Sequence, residues 1–481
     1  MGLNRPGLAL CLVVAGLTGC ARVQPVPAPA AIGEAVASHP GHGAAPTADS
    51  AIAPPGAAHE TASDREIARL RERVRPGADA AAYVELGDAL MQKSRESMDG
   101  RLYEEAESAY QEALARAPQN AAAMLGLAWV HNTEHDFDTG RSWAEKALAS
   151  DPDLADAYGL LGDAAVELGA YDEAFAHYQK AMDLRPDLSS YSRAAHLLWV
   201  TGDALRARRL MQKAIDAGGP YAENTAWCRA ELACMLFHGG ALLLAERQAK
   251  AALRLTPDNY YALVAMGQIK AAREDYPAAI DRYQRAIAVT ANPDALVALG
   301  DLYTLTGQRD AAERCYARVV TTLTAHASGH GQGGSRAHSH PHGGARLARF
   351  YADHERHLDD ALREAEAAYG ESPNVFVADT LAWCYYQNGR YDEARKIIRE
   401  ALKWKTPDAN ILFHAGMIYA QLGDRPAAQN YLYHALSLNP RFHVQHAEVA
   451  AQTLAALSAR PEEGQPPKGV ADRAAAADRV P

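Results

Sequence analysis

The sequence predicts an all-α solenoid of about ten stacked helical hairpins, and three observations carry that reading. Prolines close successive helical patterns at Pro118, Pro152, Pro186 and Pro220, at equal intervals. They do so again at Pro257, Pro293, Pro373, Pro407 and Pro440. Small residues recur at matched places, as with Gly162, Ala174 and Ala181 in the unit from Asp153 to Pro186. The composition, 48% apolar and 22% charged over 481 residues, suffices for a continuous core. A fixed period of this size marks units that cannot cover their own apolar face and must stack.

From the N-terminus, Arg5 precedes the apolar run Gly7–Gly19, the charge-then-apolar order of an export signal over residues 1–19. The run is too short to span a ~30 Å hydrocarbon core. Leu17-Thr18-Gly19-Cys20 resembles the lipobox of bacterial lipoproteins. That resemblance implies a lipid on Cys20 and, with Ala21 following, an outer-membrane anchor facing the periplasm. Residues 20–61 form an Ala/Pro-rich tether; positions 21–60 hold 13 Ala, 7 Pro and no aromatic, too little apolar surface to offset ordering. Residues 62–79 contain an amphipathic capping helix, and repeats one to seven occupy 80–325. A His/Gly-rich loop follows at 326–344, then repeats eight to ten at 345–440. A closing helix at 441–460 and a disordered tail at 461–481 complete the chain.

Within each unit two helical patterns are separated by a break, often glycine, as at Gly169. Tyr158, Leu161, Gly162 and Ala165 fall on one helix, and Ala174, Tyr178 and Ala181 on the next. This pattern resembles the tetratricopeptide repeat (TPR), a helix–turn–helix unit of about 34 residues. The resemblance implies a right-handed superhelix with terminal capping helices whose concave face takes up extended peptides or amphipathic helices. It implies no catalytic activity and no required cofactor. By register the inward aromatic and imidazole positions are Trp129, His196, Trp199, Trp227, Phe237, Tyr261, Phe350, Trp383, Tyr386 and Phe413. Rigid side chains of this kind act as anchors for a partner. The Lys/Asn carboxylate clamp of chaperone-binding members is absent, since the matching places hold Gly159 and Asp163, then Ser192 and His196.

Chemistry of other kinds is scarce. With 48 basic and 59 acidic residues the net charge is −11, which removes the basic footprint of a nucleic-acid binder. No Walker loop, GxSxG elbow, HExxH or CxxC occurs, and no segment is left over for a catalytic domain. Acidic pairs such as Asp172-Glu173 and Asp392-Glu393 open second helices, where they complement the helix dipole. Cys228 and Cys234 share one helix at ~9 Å, beyond bridging distance. The tract from His326 to Gly344 is the one candidate metal binder: His330, His338, His340 and His342 offer imidazoles suited to Zn²⁺, Cu²⁺ or Ni²⁺. The expected partners are therefore other envelope proteins or peptides, with the membrane reached through the lipid. Periplasmic metal handling by the loop is the rival expectation.

Overall fold

The computed structural model describes residues 61–75, 77–327 and 341–459. The signal segment, Cys20, nearly all of the tether, His330, His338, His340 and the tail lie outside the described residues. Every regular element among the described residues is a helix, and there are twenty-two. A leading helix, α1 (Ala62–Arg73), precedes ten hairpins. These are α2 (Ala80–Ser97) with α3 (Arg101–Arg116), α4 (Ala121–Thr133) with α5 (Phe137–Ser150), and α6 (Ala155–Glu167) with α7 (Tyr171–Leu184). Next come α8 (Leu188–Val200) with α9 (Ala204–Ala217), α10 (Ala222–His238) with α11 (Leu242–Leu255), and α12 (Tyr260–Ala272) with α13 (Tyr276–Val289). The array continues with α14 (Pro293–Leu305) and α15 (Arg309–Ala327), α16 (Pro341–Asp353) and α17 (Leu358–Glu371), then α18 (Val375–Gln387) and α19 (Tyr391–Leu402). It ends with α20 (Ala409–Gln421) and α21 (Arg425–Leu438), closed by α22 (His446–Ser458). The helices run further into the His-rich tract than its composition suggested: α15 reaches Ala327 and α16 begins at Pro341.

Local chemistry explains where helices begin. Asn120, Asp187, Asn259, Asn374 and Asp408 each stand at an N-cap and accept a backbone N–H from the first turn. Within hairpins, a tyrosine from the second helix lies flat against a glycine of the first. A Cβ placed on Gly87 would meet the Tyr110 ring at 2.5–2.9 Å, and the same fit joins Gly162 to Tyr178 and Gly300 to Tyr316. The phenol then donates to the aspartate after that glycine: Tyr110 to Asp88 at 2.8 Å, Tyr178 to Asp163 at 2.7 Å, Tyr316 to Asp301 at 2.8 Å. Burying a phenol this deeply requires such a partner. Second-helix alanines at Ala106, Ala207, Ala245, Ala279, Ala361, Ala394 and Ala428 are fully buried, which lets the helices approach closely.

The turn inside each hairpin passes through left-handed backbone. Gly169, Gly202, Gly240, Gly307, Gly389 and Gly423 have φ between 71° and 89°, and His135, Glu274 and Glu355 take the same place with φ of 52–60°. Three of these turns touch the chain again about six repeats later. Ser372 Oγ and Asn374 Nδ2 donate to the Glu167 carbonyl, and Tyr171 Oη accepts from Val375 N at 3.0 Å. Thr406 Oγ1 donates to the Val200 carbonyl at 2.5 Å, and Asn439 Nδ2 to that of Phe237 at 2.8 Å. Tyr171 meets the edge of Trp404 at 5.0 Å between centroids. The partners in these hydrogen bonds stand 202 to 207 positions apart in sequence, close to six times the repeat period. One superhelical turn therefore takes about six repeats, and the intra-hairpin turns of the third to fifth hairpins seat directly on the inter-hairpin loops one turn later.

One carboxyl near the start of the array is held in an unfavourable state. Glu134, at the end of α4, is half-buried, and burial together with Glu107, Glu104 and Asp136 pushes its carboxyl up to about 7. A raised carboxyl stabilises the fold below its unfolded value near 4.3, and that contribution disappears as pH rises through 7. Glu134→Gln is expected to add about 1 kcal/mol at pH 8, discounted for partial exposure, and little at pH 4. Urea melts at the two pH values check this; equal gains at both would refute it.

Candidate functional site

First helices of successive hairpins face inward and enclose a cavity of about 260 Å³. Phe237 of α10, Gln268 of α12, Asp301 of α14, and Arg349 and Asp353 of α16 form its wall. The short segment Arg441–Val444, between α21 and α22, lies across it. The inner wall is thus covered over this stretch by the chain's own later turn.

The cavity is lined mainly by apolar side chains, and the carboxylates Asp301 and Asp353 in its wall belong to a buried polar network. Asp301 accepts from Tyr316 and from His354 Nε2 at 2.8 Å, while His354 Nδ1 lies 2.8 Å from the Phe350 carbonyl. Both ring nitrogens of His354 face acceptors, which requires a proton on each. Burial opposes the charged ring, but the bond to Asp301 and its charge prevail and raise the His354 pKa. On α16, Arg349 Nε reaches Asp353 Oδ2 at 2.7 Å and its Nη1 reaches Asp379 Oδ2 of α18 at 2.9 Å. Asp379 Oδ1 receives His414 Nδ1 of α20 at 2.8 Å. Burial alone would raise both carboxyls; Arg349 holds Asp353 below the usual range, and the His414 hydrogen bond together with Arg349 does the same for Asp379. His446 of α22 has its pKa lowered first by burial and then by His443, so its ring is neutral.

The inward positions expected from register divide into two groups. Trp199, Phe237, Phe350, Trp383 and Phe413 are 1–6% exposed, and they fill the space between hairpins and between turns rather than offering surface. That corrects the expectation of an open aromatic wall: Trp199 stacks on Phe376 at 6.3 Å, and Trp383 lies against His414 at 4.3 Å. Trp129, His196, Trp227 and Tyr386 are half-buried. Their neighbours account for this, with Arg95 over the Trp227 ring at 5.9 Å and Tyr386 stacked on Trp383 at 4.6 Å. His196 Nδ1 pairs with Glu231 at 3.2 Å. Only Tyr261, at 38%, is exposed among the ten, and Phe376 beside Trp199 is 39% exposed.

The histidine tract divides likewise. His342 falls in α16 with its side chain undescribed, and the other three named imidazoles lie outside the described residues. The structure instead gathers Asp353, His414 and His446 deep in the array. Spacing along the chain gives no sign of this grouping, since the three sit on three different helices. The four described cysteines are free thiols.

Ten stacked two-helix hairpins of similar length define a helical-repeat scaffold. Tetratricopeptide repeat profiles match residues 93–155 and 133–189, 295–327, 354–412 and 409–442. These stretches are tetratricopeptide repeats, an architecture that typically mediates protein–protein contacts. The curated relative it matches, small glutamine-rich tetratricopeptide repeat-containing protein 2 of Saccharomyces cerevisiae, is 31% identical over 112 residues, 23% of this chain. The match spans about a third of that relative's length, 32%. Among solved structures, yeast Tom70 is 14% identical, covering 83% of this chain and 94% of its own, with a TM-score of 0.36. A human IFIT1 dimer is 14% identical over 78% of this chain and 94% of its own, with a TM-score of 0.40.

Proposed function

We propose that this protein is a lipid-anchored cell-envelope scaffold that holds a protein partner on the faces of its repeat array and assists assembly or docking of an envelope complex. The observation that carries the reading is the array itself: ten hairpins form one continuous stack, and Tyr261 and Phe376 remain exposed on first helices α12 and α18. Exposed aromatic rings on a rigid framework give contact area with little loss of freedom. Supporting the address are the Leu17-Thr18-Gly19-Cys20 motif and the Ala/Pro-rich stretch behind it. No helix among the described residues is long and apolar enough to cross a membrane. Attachment in this reading falls to acyl chains on Cys20, more than one of which is needed for stable anchoring.

Two experiments test it. A photo-crosslinker at position 261 of the full chain, activated in intact envelopes, is expected to capture a defined protein, with yield reduced at least tenfold by Phe376→Ala. Trp383→Ala is unsuitable for this purpose, because its ring is core. Cys20→Ala is expected to release the protein from the membrane fraction and to abolish labelling by a tagged fatty acid. Unchanged crosslinking in Phe376→Ala would count against the surface, and membrane retention in Cys20→Ala against the anchor.

A further inference from the structure

We propose that Asp353, His414 and His446 form an interior site for one divalent transition-metal ion, best suited to Zn²⁺. One candidate ligand atom from each lies within 4.8 Å of those of the other two. Asp353 ends α16, His414 sits mid-way along α20, and His446 begins α22, so the site joins the eighth hairpin, the tenth hairpin and the closing helix.

Three observations point to a ligand here. The first concerns unmade bonds. Asp353 Oδ1, His414 Nε2 and His446 Nδ1 are all buried without a hydrogen-bond partner. His414 is fully buried and His446 is 7% exposed. Each such atom costs about 1–3 kcal/mol when left unpaired, so one on every side chain of the cluster calls for an explanation.

The second concerns the other atoms of the same side chains. His414 Nδ1 donates to Asp379 at 2.8 Å, which fixes the tautomer that turns a bare Nε2 toward the site. Arg349 holds the second oxygen of Asp353 at 2.7 Å and also grips Asp379. A carboxylate behind a histidine is the usual support for a metal-bound imidazole. The third concerns orientation. The His446 ring lies between His443 at 4.2 Å and Phe413 at 4.8 Å, and His414 lies on Trp383 at 4.3 Å.

The donor set chooses the ion. Two imidazole nitrogens and one carboxylate oxygen suit Zn²⁺ with a fourth position for water, and are poor for Ca²⁺ or Mg²⁺, which prefer oxygen. Bonds of ~2.0–2.2 Å require the three side chains to draw together slightly from their present spacing. Charge also fits: Asp353 and Asp379 against Arg349 leave one net negative charge, which a dication turns to one positive. Bound there, the ion pins α22 and α20 to α16 and so fastens the end of the array.

The site is distinct from the histidine tract, and the test separates them. In the full chain the five histidines from His326 to His342 are replaced by serine, bound metal is removed with a chelator, and Zn²⁺ is titrated against a chromophoric competitor. One equivalent is expected to bind, and to raise the melting temperature. His446→Gln and Asp353→Asn are each expected to weaken binding at least 100-fold, and Asp379→Asn 10- to 100-fold. Co²⁺ in the same protein is expected to give the visible bands of a four-coordinate ion, lost in His446→Gln. The bands themselves are read without any site variant, so a variant that fails to fold does not spare the proposal. Loss of all Zn²⁺ binding on serine replacement alone, or unchanged affinity in all three site variants, overturns it. Neither readout depends on partner capture.

Discussion

Gly202→Ala is expected to destabilise the array by about 3 kcal/mol, whereas Gly307→Ala at the equivalent turn is expected to cost only about 1 kcal/mol. Both glycines occupy left-handed backbone, with φ of 89° and 78°. The conformational penalty for adding a side chain, ~1–2 kcal/mol, is therefore shared. Their surroundings differ. A Cβ on Gly202 would sit 2.7 Å from the Trp404 carbonyl oxygen and 2.9 Å from that of Lys405, while nothing lies within 4 Å of one on Gly307. Carbonyl oxygens belong to the backbone and cannot swing aside, so relief requires the turn around Trp404 to lift away. That motion would break the bond from Thr406 to the Val200 carbonyl and uncover Trp404 from Tyr171. The difference between the two substitutions thus isolates the contact between superhelical turns. Urea melts measure it, and hydrogen exchange at amides 404–408 locates it, with faster exchange in Gly202→Ala alone. Equal losses, with no local change in exchange, would mean that successive turns do not touch in solution.

The repeats were legible because their cause is local. Proline stops, turn glycines and small residues in register are written into one unit after another, and each hairpin's packing follows from its own composition. The contact between turns was not legible, because it depends on a number the composition does not state: how many hairpins complete a turn. Once that number is about six, Trp199 and Trp383 cease to be surface, although both stand on first helices. Gly169, Gly202 and Gly240 carried a faint signal, since each precedes by about six repeats a loop that holds Ser372, Thr406 or Asn439. Polar side chains at those loops are indistinguishable in sequence from ordinary turn chemistry. The interior histidines were hidden for a related reason. A dense tract at His338, His340 and His342 is conspicuous in one dimension, while Asp353, His414 and His446 come together only when three helices stack.

Arg349→Met is expected to cost about 3–5 kcal/mol in the metal-free protein. The guanidinium is the cation shared by Asp353 and Asp379, whose side chains are 16% and 4% exposed. Methionine keeps much of the apolar stem and removes the charge, so packing is conserved while two interior carboxylates lose their counter-ion. Adding Asp379→Asn should return part of the loss, because a neutral amide can still accept from His414 and needs no cation, while Asp353 still lacks its own. A double-mutant cycle in urea is expected to give a coupling energy of about 2 kcal/mol between the two substitutions. The same variant interrogates the interior site from the opposite direction. With the guanidinium gone, a dication beside Asp353 becomes the nearest positive charge, so Zn²⁺ should stabilise Arg349→Met more than it stabilises the parent. An identical deficit in chelator and in Zn²⁺ would place the ion elsewhere. A deficit in chelator of only about 1 kcal/mol, the scale of a solvated ion pair, would mean that water reaches these carboxylates and that Arg349 does not hold the eighth and ninth hairpins together.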